Sequence, residues 1–484
     1  MHYKDKISRE QLMVMSYDAM VAQDNAVRLI DLMCKKFFKE LRNEKQWKGC
    51  KNEGRKSYPP ESMLCLLVYG YFNGIASSRK LERETYRNIE VLWLMEGLQP
   101  DHWTICEFRR ESEAILKSFL KLFRRFLIDG SYASIDKIVF DGTKVKAYAR
   151  RDMLTVESLQ EKLIDIDKSI SAYLSKVENN DNHENEMILA KAEIEVLKEK
   201  IKKLETAKIK FENIKQGLEE SGETYYAVND KEAKLVRGRD GKFAGYNVQA
   251  GVETKGHFIM VDRVTTETND MHELEKNVDS VKEATGFLPK EVSADKGYSN
   301  TSQILEIEKD GNIQCYIPLI ETMRESQEKQ GITFQYNETT DAYTCSQGKQ
   351  LRLHQTNAKI RDGYYNIYQC HECNNCIVRN ICTKSKIGRI LKRNINQKKL
   401  DQYKIKMKGA YAKEKIKQRK GVVEHPFGTI KSLMGKFNIL LIGKQKVQIE
   451  IDYYTTAYNL KRLINCAPFS ELINKVKKYE YETA

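Results

Sequence analysis

The order of periodicities along the 484 residues predicts an α/β fold: a mixed sheet core interrupted by two insertions and preceded by an all-helical segment. Three observations predict it. Apolar residues in the first 130 positions recur at helical spacing between Pro, Asn and Gly breaks. From residue 136 onward, short β-prone runs alternate with helical ones. Two stretches, 151–222 and 321–400, fall between core elements and have a different character. With 41% apolar and 31% charged residues, the chain can bury a sizeable core.

Within residues 1–130, SYPPESMLCLLVYGYFNG sets Pro59 and Pro60 before an apolar helix that stops at Asn73-Gly74. SSRKLERETYRN starts a basic helix from Ser77 or Ser78. After a break from Gly97 to Pro100, Thr104 and Glu107 have capping-box spacing ahead of a long helix, ICEFRRESEAILKSFLKLFRRFL. A basic helix after a turn suits a helix-turn-helix-like DNA reader, and a structural bundle fits the pattern about as well.

DKIVFDGTKVKA then supplies a strand, Ile138 to Phe140, running into a turn at Asp141-Gly142. Val156, Leu159, Leu163, Ile166, Ile170, Tyr173 and Val177 form a heptad seam. The polar break NNDNHEN follows, and Ile194, Leu197, Ile201, Leu204 and Phe211 resume the spacing. An antiparallel helical hairpin is favoured over an intermolecular coiled coil, because the break permits reversal. GKFAGYNVQAGVETKGHFIMVDRVTTE predicts a β-hairpin about Thr254-Lys255-Gly256. A helix over about 270–284, a strand in PKEVSADKGYSN and a strand over 313–320 come next. Residues 321–400 are polar, Cys-bearing and expected to be irregular. Helices resume from about Gln402, and VQIEIDYYTTAYNLKRLI reads as amphipathic.

Lys and Arg number 82 against 68 Asp and Glu, a net charge of +14. From Lys384 to Lys420, fifteen Lys or Arg face two acids, Asp401 and Glu414. This window nearly matches the whole excess, and such a cluster favours nucleic acid over a merely solubilising linker. The longest near-apolar run, MLCLLVYGYF, is too short to span a membrane, and MHYKDKISRE has no apolar signal region. A cytoplasmic, DNA-associated protein is expected.

Asp141 and Asp295 each follow a short strand, at the rim where α/β sheets hold ligands. Glu424 lies in RKGVVEHPFGTIKSLMG, read as a helix packed back on the sheet. Three converging carboxylates can hold two Mg²⁺ ions; taken singly, Asp-Gly is an ordinary turn.

FDGTKVKA, ADKGY and VEHPFGTIK, in this order, resemble the three signature blocks of bacterial insertion-sequence DDE transposases with an RNase H-like catalytic core and a helical N-terminal domain. The resemblance covers nearly the whole chain. It implies that 1–130 binds element ends, and that 131–484 is an RNase H-like catalytic domain with a helical hairpin inserted at 151–222 and a Cys-rich insertion at 321–400. It implies Asp141, Asp295 and Glu424 as the catalytic, Mg²⁺- or Mn²⁺-binding triad. Many relatives carry Tyr and Arg seven and four residues before the Glu, and Lys seven after it. Here those positions are Lys417, Lys420 and Lys431, with Arg419 beside Lys420, and all four are assigned to DNA. His425 is read as structural.

Cys370, Cys373, Cys376 and Cys382, with Cys345 upstream, are spaced so that four of them could close a structural Zn²⁺ site; unmetallated thiols are the equal alternative. Cys34, Cys65 and Cys466 are assigned to apolar faces. The expected activity is cleavage of phosphodiester bonds at terminal inverted repeats and joining of the 3′-OH ends to target DNA, by a homodimer or higher assembly. The rivals are an RNase H-fold nuclease or resolvase without strand transfer, and a non-catalytic DNA-binding remnant.

Overall fold

The computed structural model describes residues 14–43, 57–148, 153–181, 191–222, 225–238, 241–321, 326, 328, 330–360, 363–373, 375–433 and 439–480. Among them, no helix is long and apolar enough to cross a membrane.

The chain is mixed α/β with a helical N-terminal region. That region contains helices Ala26–Asn43, Pro60–Phe72, Ser78–Arg87, Ile89–Leu94, His102–Glu111 and Glu113–Asp129. Pro60 opens its helix where a missing N–H costs nothing, and Gly74, at φ +71°, turns the chain out beyond Asn73. Helix Pro60–Phe72 is buried from Met63 to Tyr71, so it is the centre of the bundle. Phe37 from Ala26–Asn43 meets Phe119 and Phe126 of Glu113–Asp129, with ring centroids 5.5 and 6.2 Å away. The expected capping box at Thr104 is not used. Asp101 is the cap instead, its carboxylate accepting from the Thr104 N–H at 2.7 Å, because helical backbone already begins at His102. The long helix expected there is two helices divided at buried Ser112, whose hydroxyl donates back to the Arg109 carbonyl.

The core sheet contains β1 (Lys137–Lys146), β4 (Lys234–Gly238), β5 (Gly241–Glu253), β6 (Ile259–Thr265), β7 (Glu291–Ser293) and β8 (Gln314–Tyr316). A short pair, β2 (Met153–Leu154) and β3 (Tyr226–Ala227), lies between β1 and β4 in the chain. β1 pairs antiparallel with β5 and parallel with β7, β5 pairs antiparallel with β6, and β7 runs parallel to β8. The order across the sheet is therefore β6-β5-β1-β7-β8, with β4 paired to the start of β5. The strand-to-turn reading of Asp141-Gly142 is corrected. β1 continues through both residues to Lys146, because β5 offers a continuous partner from Gly245 to Glu253.

Helix Lys444–Ile464 was expected to be amphipathic, yet it is buried on nearly all sides. Its polar residues serve the free edge of β6. Asn459 accepts from the Ile259 N–H and donates to the Ile259 carbonyl, both at 2.9 Å, and Gln448 makes the matching pair with Val264 N–H and Asp262 carbonyl. An edge that would otherwise offer open ladder groups is closed by side-chain amides.

The helical reading of the first insertion appears as helices Val156–Asp181 and Lys191–Ser221. They run antiparallel within one chain: Lys208 reaches Asp167 at 2.7 Å, and Lys200 lies over Tyr173. The β2–β3 pair and the cluster Leu154, Leu159 and Leu218 close the base.

The irregular character expected of 321–400 is wrong. β9 (Phe334–Asn337), β10 (Ala342–Cys345), β11 (Gln350–Ile360), β12 (Gly363–Gln369) and β13 (Ile390–Asn394) form a second, antiparallel sheet in the order β13-β12-β11-β10-β9. It has a core of its own, including Ile332, Phe334, Tyr343, Leu351, Tyr368 and Leu391. Tyr336, Tyr343 and Tyr368 contact one another there with centroids 5.0–6.1 Å apart. Leu351→Ala empties a fully buried site and is expected to cost this sheet about 2–5 kcal/mol. Limited proteolysis should show earlier cleavage within 332–394 in the variant than in the unmutated protein.

Candidate active site

Val139 of β1 is level with Ser293 of β7. β7 stops there, while β1 runs on for seven residues, so Asp141 borders an open notch in the sheet although it lies inside a strand. Asp295, two residues past Ser293, enters the same notch as the cap of the turn Lys296–Tyr298. Its Oδ1 accepts from the Gly297 N–H at 2.7 Å. Asp141, inside β1, and Asp295, just past the end of the parallel strand β7, are thus electrostatic neighbours.

Helix Ala410–Leu433 lies over this part of the sheet. Val422, Val423 and Ile430 pack with Val139, Ala250 and Val252. Arg419 sends Nη1 to 3.9 Å from Asp141 Oδ1, and Lys431 places Nζ 3.3 Å from Thr143 Oγ1. Glu424 is not gathered with the two aspartates. Its side chain is 65% exposed and lies 3.8 Å from Lys420 Nζ, one turn back on the same helix. Lys431, two turns beyond Glu424 and therefore on the same face, does reach β1. Lys417 and Lys420 are exposed to solvent. Arg419, assigned from sequence to DNA, is partnered with a carboxylate.

Burial pushes the Asp141 carboxyl up to about 6; the negative charges of Asp295 and Asp270 push in the same direction, opposed by Arg419 and the Gly142 N–H. Like charges crowded at a sheet rim form a hard-oxygen donor set that suits a divalent cation. No group of three or more His, Cys, Asp or Glu among the described residues is arranged to hold a metal ion. This applies to the full triad and to the cysteines alike.

Cys370, Cys373 and Cys382 are buried in the small sheet's core with Cys345 packed against it, while Cys376 is half-exposed. The Zn²⁺ ligand set read from Cys370, Cys373, Cys376 and Cys382 is not found among the described residues. Burial raises the Cys370 thiol to about 11, with Cys373 adding to the shift. Cys34 and Cys65 are core residues as expected, whereas Cys466 is exposed. His425 lies 3.3 Å from the Tyr458 hydroxyl, consistent with a structural role.

Sequence reasoning missed Asp270, Asn247 and Gln249. Asp270 Oδ1 accepts from Asn247 Nδ2 at 2.7 Å and Gln249 Nε2 at 2.6 Å, with Lys144 Nζ 3.5 Å away. Gln249 Oε1 accepts in turn from Tyr298 OH and from Asn277 Nδ2 at 2.8 Å. The available signal was two amides at alternate positions of an otherwise apolar strand.

The basic run is divided between structure and surface. Lys406 pairs with Glu308, Lys415 with Glu291 and Lys398 with Glu338, and Arg389 is buried over Phe334. Lys384, Lys386, Lys392, Lys399, Lys408, Lys413, Lys417 and Lys420 are exposed.

Residues 15–111 match the family described as Transposase domain (DUF772), and residues 344–464 match the family described as Transposase DDE domain. Glu424 lies inside the second match, and Asp141 and Asp295 lie between the two. No curated protein and no solved structure matches the chain.

Proposed function

We propose that this chain, which its two family matches support as an insertion-sequence DDE transposase, cuts phosphodiester bonds at the ends of a DNA element and joins the freed 3′-OH groups to target DNA. The observation that carries the reading is the pair of Asp141, inside β1, and Asp295, just past the end of the parallel strand β7, overlain by the helix that bears Arg419, Glu424 and Lys431. The strand order, with an antiparallel meander of β1, β5 and β6 on one side and β7 and β8 parallel to β1 on the other, supports an RNase H-like core.

Asp141, Asp295 and Glu424 would hold Mg²⁺ or Mn²⁺, which when bound supplies activation of water or a 3′-OH and charge stabilisation of the leaving oxygen. Glu424 has a long, exposed side chain on the face that Lys431 turns toward β1, so rotamer change can swing it inward. Arg419 favours the charged form of Asp141 and steadies its position. Lys417, Lys420 and Lys431 meet the phosphate backbone. The exposed cations of helix Ser78–Arg87, Arg79, Lys80, Arg83 and Arg87, add a second DNA-binding surface within the first matched segment. Holding two element ends calls for a homodimer or higher assembly.

The test is incubation of the protein and Mg²⁺ with DNA carrying the inverted repeats that flank its gene, together with a plasmid target. Cleavage and joining of the ends is the expected result. Cleavage without joining of pre-cut ends would identify a nuclease, and binding without cleavage a remnant.

A further inference from the structure

Gly142 separates Asp141 from a polar group on the other face of β1. A Cβ at Gly142 would stand 2.6 Å from Asp270 Oδ1, 2.9 Å from Gln249 Nε2 and 3.1 Å from Asn247 Oδ1. The bare backbone therefore lets Asp270 close against the strand directly behind the catalytic aspartate. Asn247 is fully buried, its Oδ1 has no hydrogen-bond partner, and it points to this same spot. Asp270 also borders the Asp295 turn: a Cβ on Gly297 would lie 2.8 Å from Asp295 Oδ1 and 3.7 Å from Asp270 Oδ2. One Asp270 oxygen is thus held by two amides, with Lys144 Nζ 3.5 Å away, while the other faces the turn that carries Asp295. The link continues through Gln249 to Tyr298, the last residue of that turn.

We infer that Asp270 is a positioning residue of the metal centre, fixing the Asp295 turn through Gln249 and Tyr298 and adding a negative charge behind Asp141 that strengthens cation binding. The inference rests on the reading of Asp141 and Asp295 as metal ligands. A structural anchor and a source of charge make different demands on the side chain. Asparagine keeps the Oδ1 acceptor for Asn247 and Gln249 and removes the charge, whereas alanine removes both. A mere anchor would be rescued by asparagine; a charge would not.

The experiment measures Mn²⁺ affinity by electron paramagnetic resonance and thermal unfolding for the unmutated protein, Asp141→Asn, Asp270→Asn and Asp270→Ala. The expected pattern is loss of Mn²⁺ binding in Asp141→Asn and about tenfold weaker binding in Asp270→Asn with its melting temperature retained. Asp270→Ala should bind as weakly or worse and melt earlier. Unchanged Mn²⁺ affinity in Asp270→Asn, with Asp141→Asn defective, overturns the role of Asp270 alone. Unchanged affinity in Asp141→Asn overturns the assignment of the metal centre and the inference with it.

Discussion

Asp141→Asn and Asp295→Asn are each expected to slow single-turnover DNA cleavage by about a thousandfold or more, about 4 kcal/mol on the barrier. Each substitution keeps the shape of the side chain and removes one of the carboxylates proposed to hold the cation. The variants should keep their melting temperature or gain slightly. Asp141 is buried beside Asp295 and Asp270, so its charge opposes folding, and a neutral amide relieves that opposition. Loss of cleavage together with retained stability separates a chemical role from a structural one. Cleavage within tenfold of the unmutated protein in either variant would exclude this pair as the reaction centre. Arg419→Ala is expected to have a smaller effect. It removes the cation 3.9 Å from Asp141, so the carboxyl rises further and metal competes with protons at a higher pH.

The elements legible in the sequence are those set by local rules. Pro60 and Gly74 bracket a helix through backbone geometry alone, and the turn at Thr254-Lys255-Gly256 joins β5 to β6. The heptad seams of the first insertion likewise identify two helices that pair. The second sheet was hidden because its strands are stabilised by one another. β11 is largely exposed along its length, so its apolar pattern is weak, and the Tyr336, Tyr343 and Tyr368 cluster exists only once three strands are aligned. The site divides in the same way. Asp141 and Asp295 are marked by short apolar runs before a carboxylate. Asp270 has no such mark, and what places it behind Asp141 is the pairing of Gly142 with Gln249 across two strands. The motif block that carries Glu424 does lie on a helix over the sheet, but the Glu424 side chain is exposed and not gathered with the two aspartates.

Arg109→Leu is expected to destabilise the protein by about 3 kcal/mol, because it leaves the buried Ala76 carbonyl without its donor and removes the cation that favours the charged form of the buried Glu450 carboxyl. Arg109 and Glu450 are both almost wholly inaccessible. Arg109 Nη2 donates to the Ala76 carbonyl at 2.6 Å, and its guanidinium lies 5.5 Å from the centre of the Tyr71 ring. Glu450 Oε2 accepts from the Leu440 and Leu441 N–H groups at 2.8 and 3.1 Å, and Oε1 accepts from Tyr71 OH at 3.4 Å. Tyr71 in turn stacks on Tyr453 at 5.0 Å. This cluster ties the helical N-terminal region to the helix that closes the β6 edge, so the two transposase-matched segments share one core. Burial raises the Glu450 carboxyl and Arg109 opposes the rise. Without Arg109 the folded-state value climbs further. The electrostatic part of the loss is therefore fully present above that raised value and disappears as the pH falls through it, once the carboxyl is neutral in both proteins. Denaturant unfolding of Arg109→Leu and the unmutated protein at several pH values should show the stability gap narrowing with acid. A double variant, Arg109→Leu with Glu450→Gln, should recover part of the loss at neutral pH, because glutamine can still accept from Leu440 and Leu441 without carrying a charge. A gap that is constant with pH, or a double variant no more stable than the single, would mean that Arg109 acts through its contacts with Ala76 and Tyr71 and not through its charge.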